Sequence, residues 1–206
     1  MITIGRSAAR EHVLLPLEEL DRLGIEVRES GRGGDVTFHG PGQLVGYPIV
    51  ALREERRDAG RYLRDLEDAL IRVAAACGVL SAGRLEGLTG VWAGGRKLAA
   101  IGVRISSGWI VSHGFALNVH NDLAAFRTIV TCGIRGRGVT SILEETGSRR
   151  DVREIAALVA VAVASILGLE PAQASDPGER LAPAGPDPLS FLERGRAETA
   201  REGSIR

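Results

Sequence analysis

Apolar positions change their spacing along this chain, and each change marks where one kind of element gives way to another. Between Asp58 and Cys77, the residues Leu63, Leu66, Leu70, Val73, Ala74 and Cys77 recur three and four apart, the repeat of one helix face, and Gly78 ends the run. A second long helix is predicted from Asp151, with Glu154 three residues on as a capping-box-like pair. It continues through Ile155, Leu158, Val159, Ala162, Ile166 and Leu167 and stops at Gly168. A short helix is expected over Leu14 to Leu23, with Pro16 in its first turn, leucines three apart and Gly24 behind. Strand patterning occupies Ile2 to Ile4, Ile25 to Glu29, Thr89 to Trp92 and Leu98 to Ile105. Trp109 to Val119 is expected to return as a partner strand across a Ser106-Ser107-Gly108 hairpin loop. Leu123 to Ile129 reads as one or two helical turns leading towards Cys132.

Small residues interrupt this patterning in one place. Arg32 to Val50 reads RGGDVTFHGPGQLVGYPIV, in which strand-like Val36-Thr37-Phe38 and Leu44-Val45 are interleaved with glycine and proline. Glycine inside strand patterning marks a place where backbone closely approaches something. With 44% hydrophobic residues in 206, the chain has enough apolar material for one core. Five of the eight prolines fall in the last 36 residues, so the expected division is one domain over 1–170 and a flexible Pro-rich tail over 171–206.

Formal net charge is zero, so no global field draws the chain to nucleic acid or to an anionic membrane, and neither is an expected partner. Arg56, Arg57, Arg61 and Arg64 lie away from the apolar helix face, as a solvated surface or a docking patch for an acidic protein. The longest apolar run, Ile155 to Leu167, is too short to span a bilayer, and the N-terminus has no signal-peptide pattern. Two cysteines in unlike contexts make neither a disulfide framework nor a zinc site, which points to a reducing, cytoplasmic compartment.

Candidate chemistry gathers between Gly90 and Gly133. Lys97 is the only lysine, every other basic position that carries a permanent charge being arginine. An ammonium can give up its proton where a guanidinium cannot. Cys132 stands in Thr-Cys-Gly, a small polar context suited to a reachable thiol, whereas Cys77 falls on an apolar helix face as a core residue. The stretch Gly90 to Lys97 fails as a phosphate-binding loop, because Arg96 and Leu98 stand where lysine and a hydroxyl belong. His12, His39, His113 and His120 show no metal-ligand spacing, so no metal is expected. A cysteine nucleophile fits better, since a nearby cation makes the thiolate available near neutral pH. Two partners for it compete: His113 with Asn118, as a Cys-His-Asn arrangement, or Lys97, as a Cys-Lys dyad. The singular lysine favours the second.

These stretches together resemble the lipoyl(octanoyl) transferases, related in fold to lipoate and biotin protein ligases. The resemblance rests on RGGDVTFHGPGQLVGYPIV at 32–50, RKLAAIGVRI at 96–105, SHGFALNVHNDLAAFRTIVTCG at 112–133 and TSI at 140–142. It implies an α/β (α+β) catalytic domain like that of biotin and lipoate protein ligases, with a mixed, largely antiparallel sheet flanked by helices. It further implies that Cys132 takes an octanoyl group from acyl carrier protein as a thioester, and that Lys97 lowers the thiol's pKa. The acceptor would be a lysine of a lipoyl domain, in 2-oxoacid dehydrogenase complexes or the glycine cleavage H protein, with no cofactor and with the enzyme a monomer. The acyl pocket would be lined by Arg32, Gly33, Gly34, Asp35, Val36, Thr37, Phe38 and His39, by Ala100, Ile101 and Gly102, and by Gly114, Phe115 and Ala116. An ATP-dependent lipoate or biotin ligase is the enzyme alternative, and a non-catalytic lipoyl-domain or acyl-binding module the other. Two departures from the family pattern stand out: Thr131 replaces the usual proline before the cysteine, and Thr3 to Arg6 resembles a segment that in the family follows an N-terminal strand and helix.

Overall fold

Two helices pack together on one face of an antiparallel sheet, and a smaller sheet covers part of the opposite face. The computed structural model describes residues 1–131 and 137–169. The strands, in chain order, are β1 (Ile2–Ile4), β2 (Val27–Glu29), β3 (Thr37–Phe38), β4 (Gln43–Gly46), β5 (Val50–Ala51), β6 (Gly83–Leu85), β7 (Leu88–Ala93), β8 (Arg96–Ile105) and β9 (Ile110–Asn118). The helices are α1 (Leu17–Arg22), α2 (Ala59–Ala76), α3 (Ile142–Thr146) and α4 (Val152–Leu167). The small sheet runs β2-β1-β3, with β1 parallel to β2 and antiparallel to β3. The large sheet runs β4-β9-β8-β7-β6, with β5 also paired to β9, and every pair in it is antiparallel. The expected mixed, largely antiparallel architecture is therefore present, divided between two sheets instead of one.

Helix α2 forms where its pattern placed it. Asp58 caps it by accepting from the Arg61 N–H at 2.9 Å, and the chain leaves through Gly78 at φ 97°. Its buried face holds Tyr62, Leu66, Leu70, Val73 and Ala74 against α4 and the sheet, with Cys77 buried just beyond; Leu63 is only half-buried. Burial pushes the Cys77 thiol up to about 11, so it stays protonated and inert at neutral pH. Asp151 caps α4 and Gly168 ends it in a left-handed turn. Arg56, read from sequence as part of a solvated face, has a structural task instead. Its guanidinium donates twice to the Ile166 carbonyl at 3.0 Å, satisfying an orphan acceptor at the end of α4.

A second core lies under the small sheet, where Ile2, Leu20, Val36, Phe38, Phe126 and Ile129 pack together. It contains the short 3₁₀ turn Ala124–Thr128, the expected helical turns before position 132. No helix among the described residues is long and apolar enough to cross a membrane. Cys132 and the expected tail at 171–206 lie outside the described residues.

Candidate active site

The hairpin β8–β9 carries the site, and one irregularity in it decides where Lys97 points. Val91 pairs with Ala99, but Trp92 pairs with Lys97, so Leu98 is an extra residue in β8. Leu98 and Ala99 both enter the main core. Without the bulge, strict alternation would send Lys97 towards the helices; with it, Lys97 shares the other face with Trp92. Its Nζ stands 4.5 Å from the centre of the Trp92 ring, and its side chain is buried, 4% exposed. Gly90 makes room for the β8 backbone beside the stem: a Cβ there would lie 2.6 Å from the Ala99 carbonyl oxygen, and in ordinary contact, 3.5 Å, with Lys97 Cε. Gly90 also sits at φ 120°, a conformation that side chains resist.

The platform under Lys97 is pinned from below by Glu67 of α2. This carboxylate is completely buried, accepts from the Gly90 N–H at 2.8 Å and from Arg84 Nε at 2.9 Å, and forms an ion pair with Arg64 at 2.9 Å. On its other edge, the Lys97 backbone pairs with the chain that follows position 136. The Lys97 N–H donates to the Gly138 carbonyl and the Thr140 N–H to the Lys97 carbonyl, both at 2.9 Å. Glu145 holds the same segment, accepting from Arg96 at 2.7 Å and from the Thr140 hydroxyl at 2.6 Å.

A cavity of about 290 Å³ opens beside Lys97, between the two sheets. Of the candidate acyl-contact residues, Arg32, Gly34, Asp35, Val36, Thr37, His39, Ala100, Ile101, Gly102, Gly114, Phe115 and Ala116 line it. Gly33 and Phe38 do not. Phe38 turns into the second core, edge-on to Phe126 with ring centres 5.5 Å apart. Gly33 faces β8, donating its N–H to the Val103 carbonyl at 2.9 Å. The sequence reading missed Val45, Tyr47, Leu88 and His113, which also reach the cavity. Alternation could have placed Val45, but the turn before β7 and the backbone of His113 carry no pattern. A Cβ on Gly102 would lie 2.7 Å from the Gly33 carbonyl oxygen. Gly102→Ala is accordingly expected to push the Arg32–Asp35 loop off the sheet and cost about 1–3 kcal/mol, read as a lowered denaturation midpoint.

A directed chain of hydrogen bonds ties the small sheet to the large one along the cavity. Arg32 Nε and Nη2 donate to Thr3 Oγ1 at 3.2 and 3.0 Å, and Thr3 Oγ1 lies 3.1 Å from His39 Nε2. His39 Nδ1 lies 2.9 Å from Gln43 Oε1, while Gln43 Nε2 donates to Asn118 Oδ1 at 2.9 Å. Asn118 in turn donates to the Thr140 carbonyl at 2.9 Å. Arginine can only donate, which assigns the Thr3 hydroxyl as donor to His39 Nε2 and His39 Nδ1–H as donor to Gln43. That pattern requires a neutral imidazole. Burial lowers the pKa of His39, the Gln43 hydrogen bond opposes this, and the Arg32 charge lowers it further. The unfolded chain then binds the extra proton more readily, so stability from this group is present above the ordinary value of about 6.5 and is lost as pH falls through the lowered folded value. Wild type should lose more thermal stability between pH 7.5 and 5.5 than His39→Gln does, by calorimetry; equal losses would refute it.

The Cys-His-Asn alternative fails on distance. His113 and Asn118 are five residues apart on β9, roughly 16 Å of strand, and Asn118 is committed to Gln43, Asn121 and Thr140. Asp35 meets His12, whose Nδ1 lies 2.6 Å from Asp35 Oδ2 but out of line for a hydrogen bond. No cluster of three or more metal-ligating side chains occurs among the described residues.

Residues 1–164 match the lipoyl protein ligase A/B catalytic domain. An octanoyltransferase of Roseiflexus sp. (strain RS-1) is 46% identical over 173 residues, covering 83% of this chain and 72% of that protein. One from Rubrobacter xylanophilus is 57% identical over 146 residues, covering 70% of this chain and 65% of its own length. Among solved structures, lipoate-protein ligase A bound with ATP superposes with a TM-score of 0.67 at 17% identity, over 94% of this chain and 76% of that one. A bipartite lipoate protein ligase from Thermoplasma acidophilum gives 0.63 at 16% identity, over 100% and 81%. The structures show the fold and the sequence relatives the activity: the chain belongs to the octanoyltransferases, acyltransferases of protein lipoylation built on the lipoyl protein ligase A/B catalytic domain.

Proposed function

We propose that Cys132 Sγ attacks the thioester of octanoyl-acyl carrier protein, and that the octanoyl group passes from Cys132 to a lysine amine of a lipoyl domain. The observation that carries this reading is a buried lysine in the wall of a cavity that Ala100, Gly102, Gly114 and Ala116 also line, bonded through its backbone to Gly138 and Thr140 shortly after position 132. Lys97 as an ammonium favours the thiolate. In the first step a C–S bond forms at Cys132, the carrier thiolate leaves, and it takes a proton from Lys97. In the second, the acceptor amine forms the C–N bond, the Cys132 thiolate leaves, and the now neutral Lys97 accepts the amine's proton. The two steps restore the starting charges. The octanoyl chain would lie in this cavity against Ala100 and Ala116.

Intact mass after mixing with octanoyl-acyl carrier protein, without ATP, tests this directly. Wild type should gain one octanoyl group that a lipoyl domain then removes, and Cys132→Ala should gain none. Mass gained only when octanoate and ATP are supplied would overturn the reading in favour of a ligase.

A further inference from the structure

Trp92 is 3% exposed, yet it belongs to neither hydrophobic core among the described residues. Its neighbours across β7 explain why. On one side its register partner is Gly83, which offers no side chain, and on the other it is Lys97. The indole therefore meets the lysine across the strands, with Nζ over the ring face at 4.5 Å.

The indole N–H does not account for a tryptophan at this position. Nε1 is buried and finds no acceptor among the described residues. A buried tryptophan N–H ordinarily has a partner, and an orphan one costs free energy that phenylalanine would avoid. What phenylalanine could not match is the ring face, since the indole is the strongest cation binder among aromatic side chains. Lys97 is itself 4% exposed, so water screens the contact little. A ring quadrupole attracts the ammonium and is indifferent to the neutral amine.

We propose that the Trp92 ring face biases Lys97 towards its ammonium form, which makes Trp92 a positioning residue that acts through the lysine. The bias is worth about two- to thirtyfold in the ratio of ammonium to amine. Its consequence for the reaction rests on the reading that Lys97 accepts the proton of the acceptor amine. A ring that favours the ammonium draws that proton onto Lys97 and speeds release of the acyl group from Cys132. In loading, the same bias favours the attacking thiolate but holds back the proton that the carrier thiolate takes, and the two effects oppose. Transfer therefore depends on the ring more than loading does.

Other charges bear on Lys97. Glu67 lies across Gly90, Arg137 stands 6.0 Å from the centre of the same ring, and Arg96 is next along β8, paired with Glu145. Arg32, Asp35, His39 and His113 line the cavity that Lys97 also lines. A change confined to the ring's quadrupole leaves all of them in place.

Fluorinated tryptophans make such a change, because each fluorine weakens the negative face of the ring and nearly preserves its shape. A mono- to tetrafluoro series is placed at position 92 alone, where the N–H that fluorine acidifies has no acceptor to disturb. Lys97 being the only lysine, protein labelled with ¹⁵Nζ-lysine gives one side-chain resonance, whose position reads the charge state. At a fixed pH within its titration, the ammonium-to-amine ratio should fall stepwise with fluorine number, by about two- to thirtyfold in all. Single-turnover transfer to a lipoyl domain should slow in the same order, and by more than loading does. The same series at Trp109 should leave the resonance unmoved. A ratio indifferent to fluorine at position 92, or one that responds equally to fluorine at position 109, overturns the proposal. If the ratio falls while transfer keeps its wild-type rate, or Cys132 is never loaded, the hold of the ring on Lys97 stands and the reading of Lys97 as proton acceptor is lost.

Discussion

Lys97→Met should slow delivery of the octanoyl group to a lipoyl domain by about 10²–10⁴-fold, the range for losing a positioned acid–base group. Methionine keeps the length and volume of the buried stem beside Gly90, so the cavity wall survives. The contact over Trp92 is lost, worth about 0.5–2 kcal/mol, but burying an apolar side chain offsets it. The midpoint of thermal unfolding should hardly move. Lys97→Arg separates the two proposed roles: the permanent charge still favours a thiolate, so part of the acylation persists, but a guanidinium cannot accept the amine's proton and transfer fails. Single-turnover mass measurements follow both steps. A lysine variant that loads and unloads octanoyl at wild-type rates would remove Lys97 from the mechanism.

Glu67→Ala should be the more damaging change to stability, at about 2–4 kcal/mol, the sum of an orphaned buried donor and an unfilled volume. The magnitude follows from what each partner does once the carboxylate has gone. Arg64 and Arg84 are 44% and 36% exposed and recover water, so little of the cost comes from them. The Gly90 N–H is deep inside and has no such recourse. For a chain this long the midpoint should fall by about 10 °C. Glu67→Gln, which keeps an acceptor for Gly90, should lose less than half as much. Equal losses for the two variants would show that charge, and not the Gly90 contact, is what Glu67 supplies.

Much of this was legible from residue order, and what was not has definite physical causes. Helices α2 and α4 announce themselves because they combine a 3.6-residue apolar repeat with Asp caps and Gly stops, three independent signals each. The hairpin β8–β9 reads from alternation. Helix α3 does not, since five residues starting at a Ser141 cap are too short for a repeat to show. Glu67, between Leu66 and Asp68, looks like one more charge on an exposed face, because its value comes from a backbone N–H on a distant strand. Arg56 was misread for the same reason, its partner being a carbonyl 110 residues away. At the site, residue types were enough to single out Lys97 and to mark the glycines as places of close approach. They did not show that Gly33 approaches β8, that Phe38 turns into the second core, or that His113 leaves the core.

The extra residue at Leu98 gives β8 a property that no individual contact possesses. A strand sorts its side chains by odd and even, and the bulge resets that count between Ala99 and Lys97. Downstream of the reset the numbering of faces is one thing, upstream it is another. The lysine reaches its cavity because of arithmetic along the strand. A lineage that kept Leu98 but paired β8 regularly, without the bulge, would keep its composition, its glycines and its lysine, and would deliver the amine to the wrong side of the sheet.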